Sequence, residues 1–108
     1  MKQGYEHDVY LKLSILEEGE GFTIKDFNFV SYKTGWQVAL YGEETTSAAE
    51  AVELVRKFNG TCGVWYSNGV YYVDCSKRIK TKKEALRIGR DNNQISIWGW
   101  ARGVLAYC

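Results

Sequence analysis

The chain has 108 residues, 45% of them apolar and 15% aromatic, with 14 bases against 13 acids. That length supports one hydrophobic core, so a single α+β domain over residues 1–108 is expected, and the composition excludes a disordered chain. No apolar run approaches the roughly 18 residues that span a bilayer. The polar opening Met1-Lys2-Gln3-Gly4-Tyr5-Glu6-His7 lacks a signal-peptide core, so no membrane is expected and residence in the cytoplasm follows.

Taken in order, Asp8 to Glu18 fits two patterns. Val9, Leu11, Leu13 and Ile15 alternate as in a strand, whereas Val9, Leu13 and Leu16 share one face of a helix that Asp8 could cap. The acidic end at Glu17, Glu18 and Glu20 tips the reading toward the helix. Phe22-Thr23-Ile24 reads as a short strand, with Phe27, Phe29 and Tyr32 giving apolar bulk near a turn. A strand is expected over 35–41, bounded by Gly35 and Gly42.

Ser47-x-x-Glu50 is a capping box that opens a helix to Phe58, with Ala51, Val52, Val55 and Phe58 on one face and Asn59-Gly60 as its stop. Asn68-Gly69 lies between two β-rich runs, the strongest short signal for a hairpin. A two-residue turn there pairs Tyr66 with Tyr71, Trp65 with Tyr72, Val64 with Val73 and Cys62 with Cys75. Alternation then places Cys62, Val64, Tyr66, Tyr71, Val73 and Cys75 inward, and Trp65, Tyr72 and Asp74 on the other side. A second capping box, Thr81-x-x-Glu84, opens a helix to Asn92, in which Ala85, Leu86 and Ile88 are apolar and Gly89 permits close approach to the sheet. Residues 94–98 read as a strand, and the remainder as a short closing strand. These elements predict a mainly antiparallel sheet with two or three helices packed on one face.

Charge is divided unevenly. Residues 1–60 carry ten acids and six bases, and residues 61–108 three acids and eight bases. Lys77, Arg78, Lys80, Lys82, Lys83, Arg87 and Arg90 form one basic stretch, and Lys83, Arg87 and Arg90 fall on one helix face. Such a stripe suits phosphates or an acidic protein surface, and it also suits a solvated helix face. Trp65, Tyr72 and Trp100 are candidate contact aromatics, whereas Trp36 and Trp98 are expected in the core.

No catalytic arrangement is legible. His7 sits in a polar segment, and Cys62 and Cys75 are expected to face the core. One histidine and three cysteines without a C-x-x-C pair give no metal or cofactor site. The facing pair Cys62 and Cys75 fits two buried thiols, or a reversible bridge.

From Thr34 to Trp100 the chain resembles small proteins and domains carried by phages and other mobile elements of gut-dwelling bacteria, in particular accessory domains of polyvalent mobile-element proteins. The resemblance rests on Thr34-Gly35-Trp36-Gln37-Val38-Ala39, on residues 63–74, on Lys82-Lys83-Glu84-Ala85-Leu86-Arg87-Ile88-Gly89-Arg90 and on Asn93-Gln94-Ile95-Ser96-Ile97-Trp98. It brings no catalytic residues and implies a phage or plasmid origin and action inside a host cell, a setting in which stand-alone proteins of this size are often stoichiometric inhibitors of host defence, anti-CRISPR proteins among them. The partner expected from it is a defence protein or a protein–nucleic-acid complex. Direct nucleic-acid binding through residues 77–90 is the alternative, and a homodimer through a sheet face or edge is compatible with both.

Overall fold

A computed structural model describes residues 5–108; the first four residues of the polar opening lie outside the described residues. The element order is α1 (Glu6–Ser14), β1 (Gly21–Lys25), β2 (Asn28–Val30), β3 (Trp36–Thr45), α2 (Ala48–Phe58), β4 (Thr61–Ser67), β5 (Val70–Ile79), α3 (Lys82–Asp91), β6 (Ser96–Gly99) and β7 (Val104–Tyr107). Strand order is β2-β1-β4-β5-β3-β6-β7. The fold is α+β, mainly antiparallel sheet, as the patterning predicts. Two compact units divide the chain: one holds the residues up to Val30 with Gly42–Cys75, the other Ser31–Tyr41 with Ser76–Cys108.

The first unit is organised by the 68–69 turn. Asn68 and Gly69 take φ of 52° and 77°, the left-handed pair that a two-residue hairpin requires. The register is the one read from the sequence, from Cys62 opposite Cys75 to Ser67 opposite Val70. Cys62, Val64, Tyr71 and Val73 are accordingly buried among Val9, Leu13 and Leu16 of the first helical segment and Ala51, Val52, Val55 and Phe58 of α2, with Tyr66 and Cys75 packed against them. The Tyr71 hydroxyl, inside this core, donates to the Leu13 carbonyl at 2.9 Å. This bond removes the cost of burying a polar group and ties α1 to β5.

α1 resolves the helix-or-strand alternative in favour of the helix, with Val9, Leu13 and Leu16 facing inward. Asp8 is not its cap. Tyr5 occupies that position without a side-chain capping bond, and Asp8 lies in the first turn, where a carboxylate meets the positive end of the helix dipole. α2 begins as expected, with Ser47 Oγ accepting from the Glu50 amide at 3.2 Å. The reciprocal half of the box differs: Thr45 Oγ1 accepts the Ser47 amide and donates to the Glu50 carboxylate at 2.6 Å.

In the second unit, α3 lays Ala85 and Gly89 against Val38 and Ile97, with Leu86, Ile88, Trp36, Ile79, Ala106 and Cys108 around them. Two glycines provide the clearance. A Cβ on Gly89 would lie 2.7 Å from Cys108 Sγ, and one on Gly99 would lie 2.7 Å from the Trp36 ring. β3 runs on through Gly42 to Thr45, where the glycine-bounded reading stopped. A glycine costs a strand some stability without ending it when the neighbouring backbone approaches closely, and here a Cβ at 42 would meet Val73 O at 2.8 Å.

Leu13 is fully buried, so Leu13→Ala is expected to lower stability by about 2–5 kcal/mol. Ser47→Ala, which removes only the cap, should lower it by about 1 kcal/mol. Urea unfolding that gave equal midpoint shifts for the two substitutions would contradict this account of the first unit.

Candidate functional site

The side of β4 and β5 away from α1 and α2 carries an aromatic pair. Trp65 and Tyr72 sit directly opposite one another, 50% and 41% exposed. β1 continues both rows: Gly21 lies beside Trp65, and Thr23 beside Gly63, which in turn faces Asp74. The two glycines keep the floor low. A Cβ at Gly21 would meet Val64 O at 2.4 Å and the Trp65 ring at 3.1 Å, and one at Gly63 would meet the Asp74 carboxylate at 2.8 Å. Asp74 Oδ1 accepts the Gly63 amide at 3.2 Å, which holds the carboxylate flat over that glycine. The resulting surface is an indole lying against Gly21 with a phenol opposite it, and no lysine or arginine stands in either row.

The tip of this hairpin is pinned by a residue that composition suggested was merely solvated. Glu18 accepts from the Asn68 amide at 2.6 Å and from Ser67 Oγ at 2.7 Å. The first of these bonds, and then the second, hold its carboxyl below the usual range. Gly19 and Glu20 continue the grip through backbone bonds to Tyr66, each 2.9 Å.

The second unit carries the other named aromatics and the basic residues. Trp98 is 36% exposed and leaves the core position expected of it. Ile97 takes that place instead, because alternation along β6 can send only one of the two toward α3. Trp36 does pack against the core. Trp100 is half-buried, edge-on to Tyr32 at 5.5 Å and to Trp98 at 6.2 Å, with its indole Nε1 buried and without an acceptor among the described residues. Arg78 stacks over the Tyr32 ring at 5.1 Å and donates to the Thr34 carbonyl and hydroxyl, both at 2.9 Å.

The basic stripe is only partly available. Arg87, its middle member, is gripped along its own helix by Glu84 and by Asp91, the latter at 3.1 Å, and these carboxylates raise its pKa. Lys82 lies over the Trp36 ring at 5.7 Å. Lys77, Lys80, Lys83 and Arg90 are exposed, and no ion pair engages them among the described residues. The continuous stripe read from the sequence is therefore interrupted at Arg87.

No protein-family model, curated protein or solved structure matches this chain.

Chemistry has few candidate groups. His7 lies on α1 rather than in a tail and is exposed, whereas Cys62 is sealed in the core near the Val55 carbonyl. All three cysteines are free thiols. Among the described residues, no group of three or more His, Cys, Asp or Glu side chains could hold a metal ion, and no helix is long and apolar enough to cross a membrane.

Burial, reinforced by Cys75 and Asp74, pushes the Cys62 thiol from 9.0 up to about 12. The folded chain keeps its proton where the unfolded chain has lost it, so stability should fall as pH rises from about 9 toward 12. Cys62→Ala should flatten that limb of the stability curve. In the native chain near neutral pH, a thiolate-selective alkylating reagent should leave Cys62 unmodified until urea is added, as read by peptide mass mapping. Rapid native labelling at Cys62 would contradict the sealed site.

Proposed function

We propose that the chain acts by binding a protein, as a stoichiometric inhibitor of a host defence protein in the cytoplasm of the host cell, with the Trp65–Tyr72 face as its contact surface. One observation carries the binding part of this reading: a directly opposed Trp–Tyr pair stands exposed, with the indole against Gly21. Large aromatics that present much area at little entropic cost are the residues that dominate protein interfaces. The absence of cations from both rows favours a protein over a nucleic acid at this place, since nucleic-acid affinity is built on phosphate contacts. The anti-defence, phage-encoded setting rests on the resemblance over residues 34–100, which includes the whole Gly63–Asp74 hairpin.

The test is affinity capture from a defence-positive host. The chain should recover a defined protein of the defence system. Trp65→Ala and Tyr72→Ala should each weaken capture about 30-fold, the effect of losing a contact worth about 2 kcal/mol, with far-UV circular dichroism unchanged because both rings lie outside the core. Capture that survives the double substitution, or no recovery from several defence-positive hosts, defeats the proposal.

A second reading has its own support. Lys77, Lys80, Lys83 and Arg90 are exposed and without ion pairs among the described residues, and they could contact phosphates directly. Titration with single- and double-stranded DNA and RNA at low salt should then show affinity that falls steeply with added salt and is lost in Lys83→Glu/Arg90→Glu. No binding at low salt rejects this second reading and leaves the first intact.

A further inference from the structure

Among the described residues β7 is an edge strand, hydrogen-bonded to β6 alone in the strand order. Its pairing with β6 runs from Ser96 opposite Tyr107 to Gly99 opposite Val104, and the Cys108 amide donates to the Ile95 carbonyl at 2.9 Å. In an antiparallel ladder bonded and non-bonded pairs alternate. That bond therefore sets the phase: Cys108, Ala106 and Val104 direct their backbone groups toward β6, and Tyr107 and Leu105 direct theirs toward the open edge. Side chains sort with the same period. Ala106 and Cys108 pack into the α3 core, whereas Leu105, opposite Trp98, and Tyr107 stand on the helix-free side, 53% and 73% exposed. Both residues thus present an apolar side chain to solvent and a free N–H and C=O to whatever lies alongside.

Sheet edges are ordinarily protected by lysine, proline, a bulge or brevity. Residues 103–108 contain no charge, and the chain contains no proline. β7 itself is short, four residues against three in β2 at the opposite edge, so what leaves it open is the lack of charged side chains along it.

We propose that β7 pairs with the β7 strand of a second copy, in antiparallel register about a two-fold axis through Ala106. In that register Leu105 exchanges both backbone bonds with the partner's Tyr107, and Tyr107 exchanges both with the partner's Leu105, so every outward backbone group of the two residues is satisfied. The side chains match as well. Leu105 lies beside the partner's Tyr107 on the helix-free side, which extends the row begun by Trp98, and aromatic–aliphatic cross-strand pairs of this kind are favourable. Ala106 meets its own copy on the axis as a non-bonded pair, the arrangement in which chains come closest, about 4.5 Å between Cα atoms. Only a small side chain suits that position. With no charge in the segment, self-pairing brings no like charges together. The edge is self-complementary, which is the requirement of a two-fold interface.

Sedimentation equilibrium over a range of chain concentrations tests the proposal. The chain should show a concentration-dependent monomer–dimer equilibrium. Leu105→Pro deletes an N–H that faces the open edge and is not used by β6, so it should give a monomer with an unchanged far-UV spectrum. Ala106→Pro deletes an N–H bonded to β6 and should disrupt the ribbon itself. Register is read by charge exchange. Leu105→Lys alone and Tyr107→Glu alone should be monomeric, and their mixture should form a heterodimer, because the lysine introduced in one variant then faces the glutamate introduced in the other. A wild-type chain that stays monomeric up to its solubility limit overturns the proposal. So does a folded Leu105→Pro or Leu105→Lys variant that remains dimeric, or a mixture of the charge variants that does not associate. Because this edge lies in the second unit, loss of dimerisation would leave capture through Trp65 and Tyr72 unchanged.

Discussion

Two residues of positive φ at the tip of the β4–β5 hairpin govern the first unit. Side chains alternate across a strand with a period of two, so a slip of one residue at Asn68-Gly69 would turn Cys62, Val64, Tyr71 and Val73 outward and draw Trp65 and Tyr72 into the core. Glu18 guards against that slip from outside the hairpin. It bonds the backbone of Asn68 itself, so the carboxylate recognises the turn rather than a neighbouring side chain. The segment between α1 and β1 is thereby tied to the hairpin tip as well as through the β1–β4 pairing. Core formation and display of the aromatic pair are two outcomes of one register.

Features whose cause is local in sequence were legible. The hairpin turn needs two residues tolerant of positive φ, and Asn-Gly announces them. Ser47 and Thr81 cap their helices because a hydroxyl three residues before a helical amide has few alternatives. The β1–β2 hairpin was not legible. Its two-residue turn is Asp26-Phe27, both at positive φ, and a left-handed Phe costs about 1–2 kcal/mol. Asp26 tolerates that conformation, but nothing in the local chain favours it at Phe27. The burial of Phe27 in the first core outweighs it, and burial is a property of the assembled unit. The same holds for Trp98, whose neighbour Ile97 won the inward position through its fit against Val38 and Ala85.

The basic stretch shows a different limit. Counting charges located it correctly, but counting does not say which cations are already spent. Arg87 lies three residues after Glu84 and four before Asp91, spacings at which side chains meet on a helix. That could have been read in advance, and it reduces the helix face to Lys83 and Arg90 with a neutralised centre. Exposed pairs of this sort add little stability. Their effect here is on the surface potential: the face offers separated positive points rather than a stripe.

The glycines at 21 and 63 also constrain how this surface can change through descent. A side chain at Gly21 would run into the backbone oxygen of Val64, and one at Gly63 into the Asp74 carboxylate. The first is closed to substitution for a reason that concerns the fold, since the obstacle is backbone; the second could change only if the Asp74 carboxylate moved off the Gly63 amide. Change in what the surface recognises has more room at 65 and 72, which are 50% and 41% exposed. The position the backbone closes and the exposed indole beside it thus sit one strand-to-strand spacing apart.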